Sequence, residues 1–136
     1  MPNFRKINDK INSFNKTITV SGDKSLSIRW VLLSSIAKGK SKAFNLLLSE
    51  DVMAAINAVK KLGVKVKLNK TCCTIFGDGL NGYNYKKNIV INAKNSGTLG
   101  RLIMGILIDT PYEIKIIGDK SLSKRDFNRI EEPLKK

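Results

Sequence analysis

Thr17-Ile18-Thr19-Val20 places apolar residues at every second position, the pattern of a short half-buried strand. It runs into Ser21-Gly22-Asp23-Lys24-Ser25, a glycine turn. After the turn, Leu26, Trp30, Leu33 and Ala37 recur at helical spacing and predict a core-facing stripe that stops at Gly39. Ala43-Phe44-Asn45-Leu46-Leu47 reads as the next strand. Ser49 is placed to cap a second helix, and Glu50 and Asp51 fall in its first turn, where the helix dipole favours acids. Val52, Ile56, Val59 and Leu62 form the core face of that helix, and Gly63 follows as its C′ residue. Val64 to Leu68 alternates as a strand, and Cys72 to Phe76 pairs with it as a hairpin. The predicted order to this point is βαβαββ.

A connection rich in Gly, Asn and Tyr runs from Gly77 to Asn88, and the pattern then restarts. Asn88 to Asn92 is a strand, Asn95-Ser96-Gly97-Thr98 caps a helix through Ile108, and Glu113 to Ile117 is a further strand. A helical segment covers Asp126 to Lys136. Shifting the first half by 75 positions lays Ser21-Gly22 on Ser96-Gly97 and Asp51 on Asp126. The predicted class is therefore α/β (α+β), organised as an N-terminal segment (1–16), a first βαβαββ unit (17–77), a connection (78–88) and a second unit (89–136). The second unit stops before its own hairpin, so the expectation is the front part of a longer protein.

With 136 residues, 42% of them hydrophobic and 26% charged, the chain can bury a real core. No apolar run approaches the roughly 20 residues that cross a bilayer, so no membrane partner is expected. The start, MPNFRKINDK, lacks the apolar stretch of a secretory signal, so the expected location is cytoplasmic. The two cysteines, Cys72 and Cys73, are adjacent, which argues against a disulfide framework. With no histidine in the chain, a zinc site, a Ser-His-Asp triad and a Cys-His pair all fall away. The net charge of +14 comes from lysines scattered among Asn and Ile, the mixture that AT-rich coding produces, and reads largely as solvated surface. A basic nucleic-acid-binding domain would need clustered cations interleaved with exposed aromatics. Aromatics are 7% of this chain and read mostly as core, so nucleic acid is not the expected partner.

Particular cations still ask for a role. In Ser21 to Arg29 (SGDKSLSIR), a glycine turn leads into a helix that begins Lys24-Ser25. Backbone N–H groups, a hydroxyl and an ammonium gather there, as an anion requires. Arg29 lies about one turn beyond Ser25 and can face the same ligand. Asn95 to Arg101 (NSGTLGR) repeats the logic, with Gly97 admitting a ligand to the backbone, Thr98 supplying a hydroxyl and Arg101 a guanidinium. Gly118 to Arg125 (GDKSLSKR) copies Gly22 to Arg29 (GDKSLSIR) with one mismatch in eight, and brings Arg125. Each stretch also fits an ordinary capped helix or solvated loop with exposed cations.

Together, SGDKSLSIR, NLLLSED (residues 45–51), AKNSGTLGR (residues 93–101) and GDKSLSKRDF (residues 118–127) resemble four ordered motifs of the EPSP synthase family (3-phosphoshikimate 1-carboxyvinyltransferase). Departures are Ser21 for a proline, Ile28 for a polar residue, Gly100 for a bulky apolar residue and Asp126 for the proline after the arginine. A UDP-N-acetylglucosamine enolpyruvyl transferase shares the fold but fits the GDKS and GDKSL elements less well. The resemblance implies transfer of the enolpyruvyl group of phosphoenolpyruvate to the 5-hydroxyl of shikimate 3-phosphate, without a metal or organic cofactor. It implies that Lys24, Ser25 and Arg29 contact shikimate 3-phosphate and that Lys24, Gly97 and Arg125 contact phosphoenolpyruvate. Asn95, Thr98 and Arg101 would shape the second pocket. Family enzymes are several times longer, and their acid–base carboxylates lie beyond residue 136. The implied partner is therefore the C-terminal part of the same enzyme, and the chain alone is expected to lack turnover.

Overall fold

The structure, a computed structural model, describes residues 6, 8, 13, 15–85 and 87–135. Most of the expected N-terminal segment, Lys86 and Lys136 lie outside the described residues. The helix α1 (Lys24–Ile36) is followed by β1 (Lys38–Phe44), α2 (Glu50–Lys61), β2 (Lys65–Leu68) and β3 (Cys72–Asp78). Then come β4 (Val90–Asn92), α3 (Gly97–Ile106), β5 (Lys115–Ile117), a 3₁₀ turn (Leu122–Lys124) and α4 (Asn128–Leu134). The first three strands make an antiparallel sheet in the order β1-β3-β2, and β4 pairs in parallel with β5. The result is a mixed α/β fold.

Both sheets share one core. Ile75 and Cys73 of β3, Ile28, Val31 and Leu32 of α1, and Val52, Ile56 and Val59 of α2 are buried in it with Ile91, Leu99 and Ile103. α2 forms as its pattern predicts: Val52, Ile56, Val59 and Leu62 are fully buried, acids occupy its first turn, and Lys60 and Lys61 its last. Its C-terminus closes as a Schellman turn, with Val64 N–H donating to the Val59 carbonyl and Gly63 N–H to that of Lys60. Gly63 has φ +91° and presses on the Asn84 backbone, so a side chain there is excluded by conformation and by space.

Elsewhere the structure corrects the sequence reading. Thr17 to Val20 is no strand. Ile18 and Val20 are 73% and 68% exposed, and the segment is held at Val20 by an Asn45 side-chain hydrogen bond of 3.3 Å to its carbonyl. Alternation becomes a strand only where a neighbour takes the backbone groups, and no described strand lies beside this segment. The strand expected at residues 43–47 is instead β1, ending at Phe44, because Asn45 turns into the left-handed region (φ 55°). α1 presents its core with the opposite face. Leu26 and Leu33 are 63% and 62% exposed, while Ser27, Ile28, Val31, Leu32, Ser34 and Ser35 are buried. Serine is tolerated there because its hydroxyl is satisfied inside: Ser27 donates to the Asp23 carbonyl (2.6 Å), and Ser35 bonds the Leu32 carbonyl (2.6 Å) and the Tyr83 hydroxyl (2.7 Å). Small residues also let α1 approach its neighbours closely. Finally, β3 continues through Gly77 and Asp78, α3 ends at Ile106 rather than Ile108, and the last helix begins at Asn128.

Candidate functional site

The octets at Gly22 and Gly118 fold into the same hydrogen-bonded turn. Asp23 Oδ1 accepts from Leu26 N–H (2.7 Å), and Asp119 Oδ1 accepts from Leu122 N–H (2.7 Å). Four residues after each aspartate, a serine hydroxyl and its own N–H both donate back to the aspartate carbonyl. The first turn opens α1 and the second opens the 3₁₀ turn after β5. They hold different positions in the fold, yet each sets cations next to a capped helical start.

At the first, Lys24 Nζ pairs with Asp51 Oδ2 at 2.9 Å, which links the start of α1 to the first turn of α2. Ser25 is half-buried, and Arg29 is exposed on α1. Gly22 lies against the Asn45 carbonyl so closely that a Cβ would collide with it, and Leu47 N–H donates to Ser27 Oγ (3.2 Å). The 45–47 segment is thereby fastened beneath the turn. A glycine is demanded here by close backbone approach rather than by a positive φ.

The second gathering forms where the parallel strands β4 and β5 end side by side, so the loops after both strands meet. Open α/β sheets characteristically hold ligands at this end. Ser96 caps α3 through Leu99 N–H (3.1 Å), and Asp119 N–H donates to the Lys94 carbonyl (2.8 Å). Over the backbone of Gly97, a Cβ would stand 2.9 Å from an Arg125 guanidinium nitrogen and 3.0 Å from one of Arg101. Two guanidiniums thus converge on the positive end of α3, with Thr98 half-buried in the same first turn.

These cations are oriented by neighbours. Arg125 donates to Asn95 Oδ1 (2.6 Å), and Asn95 Nδ2 donates to Asp119 Oδ2 (2.6 Å). Arg101 donates to the Asp126 carbonyl (3.1 Å) and stacks over the Phe127 ring at 5.3 Å, while its Nε is buried without a partner among the described residues. The Asp126 carboxylate accepts from Asn128 N–H (2.8 Å), so Arg125 takes Asn95 as its hydrogen-bond partner. The Leu122 N–H, followed by the Asn95 amide, holds the Asp119 carboxyl below the usual carboxylate range. Gly100 faces the Phe127 ring, which a Cβ would approach to 3.2 Å.

The eight residues singled out in the sequence therefore fall into two gatherings: Lys24, Ser25 and Arg29 on α1, and Asn95, Gly97, Thr98, Arg101 and Arg125 around α3. The N-terminus of α2 links them, because Asp51 takes Lys24 and the adjacent Glu50 takes Lys94 (3.5 Å). Sequence reading assigned Asp51 and Glu50 to the helix dipole alone and gave Asp119 no role. Their partners lie 24 to 44 positions away in the chain, and only the acidic pair at a helix start hints at them. Cys73 sits on β3, where burial raises its thiol pKa and keeps it neutral. No described helix is long and apolar enough to cross a membrane.

Comparison with known proteins gives the family of the chain. The chain is 44% identical over 121 residues to the 3-phosphoshikimate 1-carboxyvinyltransferase of Bacillus cytotoxicus, covering 89% of this chain and 28% of that protein. It is 42% identical over 130 residues to the Streptococcus pyogenes serotype M2 protein of the same description, covering 96% of this chain and 30% of that one. The structure superposes on EPSP synthase from Acinetobacter baumannii with a TM-score of 0.80 and 36% identity, over 87% of this chain and 27% of that chain. The chain spans less than a third of the length of these relatives. Since the family model for EPSP synthase matches residues 8–136, the chain belongs to the EPSP synthase (3-phosphoshikimate 1-carboxyvinyltransferase) family.

Proposed function

We propose that this chain is the N-terminal portion of an enzyme that transfers the enolpyruvyl group of phosphoenolpyruvate to the 5-hydroxyl of shikimate 3-phosphate. The observation that carries the reading is the linkage of two cationic helix starts through α2, Lys24 to Asp51 and Lys94 to Glu50. Lys24, Ser25 and Arg29 contact shikimate 3-phosphate. Lys24, the Gly97 backbone and Arg125 hold phosphoenolpyruvate, with Asn95, Thr98 and Arg101 shaping its pocket. As the 5-hydroxyl oxygen bonds to C2, C3 gains a proton and the hydroxyl loses one. When the C2–O bond to phosphate then breaks, the charge gathering on the leaving phosphate lies beside fixed guanidiniums and the α3 N-terminus, which need no rearrangement to stabilise it. Orienting two anionic reactants in one cleft supplies the rest of the chain's contribution. Residues 17–77 make the first unit, with α1-β1-α2-β2-β3 as its order, 78–88 a connection and 89–136 a second unit. A cleft with one wall gives no turnover, because the acid–base groups belong to the remainder of the enzyme.

Two measurements test this. Calorimetry with shikimate 3-phosphate is expected to show weak binding that Lys24→Ala reduces at least tenfold, about 1.4 kcal/mol. Unchanged affinity in that variant removes Lys24 from the site. With both substrates present, the chain is expected to release no phosphate, and steady release sinks the incomplete-cleft reading.

A further inference from the structure

The β1-β3-β2 sheet turns one face to the helices and the other to solvent. Pairing register places Lys40, Phe76 and Lys65 in one row across the outer face, and Lys42, Thr74 and Lys67 in the next. Lys38 opposite Asp78 and Phe44 opposite Cys72 complete the ends. With strands about 4.8 Å apart and same-face residues about 6.8 Å apart along a strand, the five lysines rise from a patch roughly 10 Å by 20 Å.

Two observations mark this patch: five lysines gathered by register on one open face, and rings set among them. Ion pairs among the described residues engage Lys24, Lys94 and Lys135, none of them on this face. Lys38, Lys40, Lys42, Lys65 and Lys67 are all exposed, and none has an ion-pair partner among the described residues. Like charges gathered on one sheet face destabilise it, and an anionic occupant would relieve that. The second observation is aromatic. Phe44 is 71% exposed, and Phe76 sits on the outer face with the Lys65 and Lys67 ammoniums 5.7 and 5.9 Å from its ring centre. The sequence reading placed the aromatics mostly in the core, yet these two rings interleave with cations on an open sheet.

We propose that this outer face binds single-stranded nucleic acid, the lysines engaging phosphates and the two rings offering surfaces on which unpaired bases stack. Only unpaired bases present a free π-face, so a flat cationic sheet with open rings suits a single strand better than a duplex. An anionic bilayer would favour a protruding apolar element that inserts, whereas both rings sit on strands level with the lysines. The face lies on the side of the sheet away from α1 and α2, so it is separate from the candidate substrate cleft.

Fluorescence anisotropy of a labelled oligothymidine of about 16 nucleotides, at roughly 50 and 200 mM salt, tests the proposal. Binding is expected, with log affinity falling against log salt by about 0.7 for each phosphate engaged, near 3.5 for five lysines. A triple Lys40→Gln, Lys42→Gln, Lys67→Gln variant is expected to lose about 2 of that slope. Phe44→Ala, at an exposed position, is expected to weaken binding roughly 5- to 150-fold. No binding at the lower salt, or a triple variant that binds with unchanged slope, overturns the proposal. Capture by phosphatidylserine vesicles without oligothymidine binding overturns it in favour of a membrane surface. Duplex bound as tightly as single strand, together with an inert Phe44→Ala, reduces the face to a screened charge and overturns it as well.

Discussion

Asp119 accepts the Leu122 N–H with one carboxylate oxygen and the Asn95 amide with the other, and Asn95 in turn receives Arg125. The carboxylate therefore caps a turn and, through Asn95, fixes the direction of a guanidinium. These bonds favour the charged form and depress its pKa in the folded chain. A depressed carboxylate contributes stability that is fully present above its unfolded value, about 3.9, and is lost as pH falls through the folded value. The wild type is thus expected to be more stable than Asp119→Asn at neutral pH, with the gap closing at the acid end. Urea unfolding of both proteins across the acid range measures this, and a gap independent of pH would show that the carboxylate is not the acceptor. The pair of Lys24 with Asp51 is partly exposed and is worth about 0–1 kcal/mol, so Lys24→Ala should alter ligand affinity far more than stability.

Among the elements, α2 is the one whose burial follows its sequence position by position. Ile56 is fully buried at its centre, and Ile56→Ala is expected to cost about 2–5 kcal/mol in urea unfolding. Exposed Asn57→Ala should stay within about 0.5 kcal/mol, and equal effects would mean the helix does not pack as described. Such a helix is legible because its apolar and charged faces are separate. α1 is not, since Leu26, Trp30 and Leu33 compete with Ile28, Val31 and Leu32 for the core, and serines on the winning side read as surface. β1 was equally hidden. Its inward, half-buried residues are Ser41 and Ala43, small enough for a closely packed layer but nearly silent in an apolar pattern. The motif residues at the candidate site were visible because each motif is local. Their anchors, Asp51 and Asp119, lie inside two of those motifs, but the partners they hold across the fold, Lys24 and Asn95, follow from tertiary contacts that a local pattern does not show.

At the scale of the molecule, α1 carries apolar side chains on its exposed face as well as its buried one. Leu26 and Leu33 lie two turns apart on one side of the helix, with Trp30 half-buried between them. Large apolar side chains recurring on an exposed helix face ordinarily mark a surface that meets a partner. The chain, which spans under a third of its relatives' length, is expected to associate as its concentration rises despite its charge of +14. Light scattering after size exclusion would detect this, and Leu33→Lys should shift the population toward monomer; a monomer at every concentration counts against the stripe as a sticky surface. The twin octets add a different point about how this chain is encoded. Their one mismatch sets Ile28, fully buried in a 13-residue helix, against Lys124, exposed at the end of a three-residue turn. Six identical residues nucleate the same first turn in both places, and the next residues decide whether it propagates. Initiation is written locally in GDKSLS, whereas extension depends on what the rest of the molecule is able to bury.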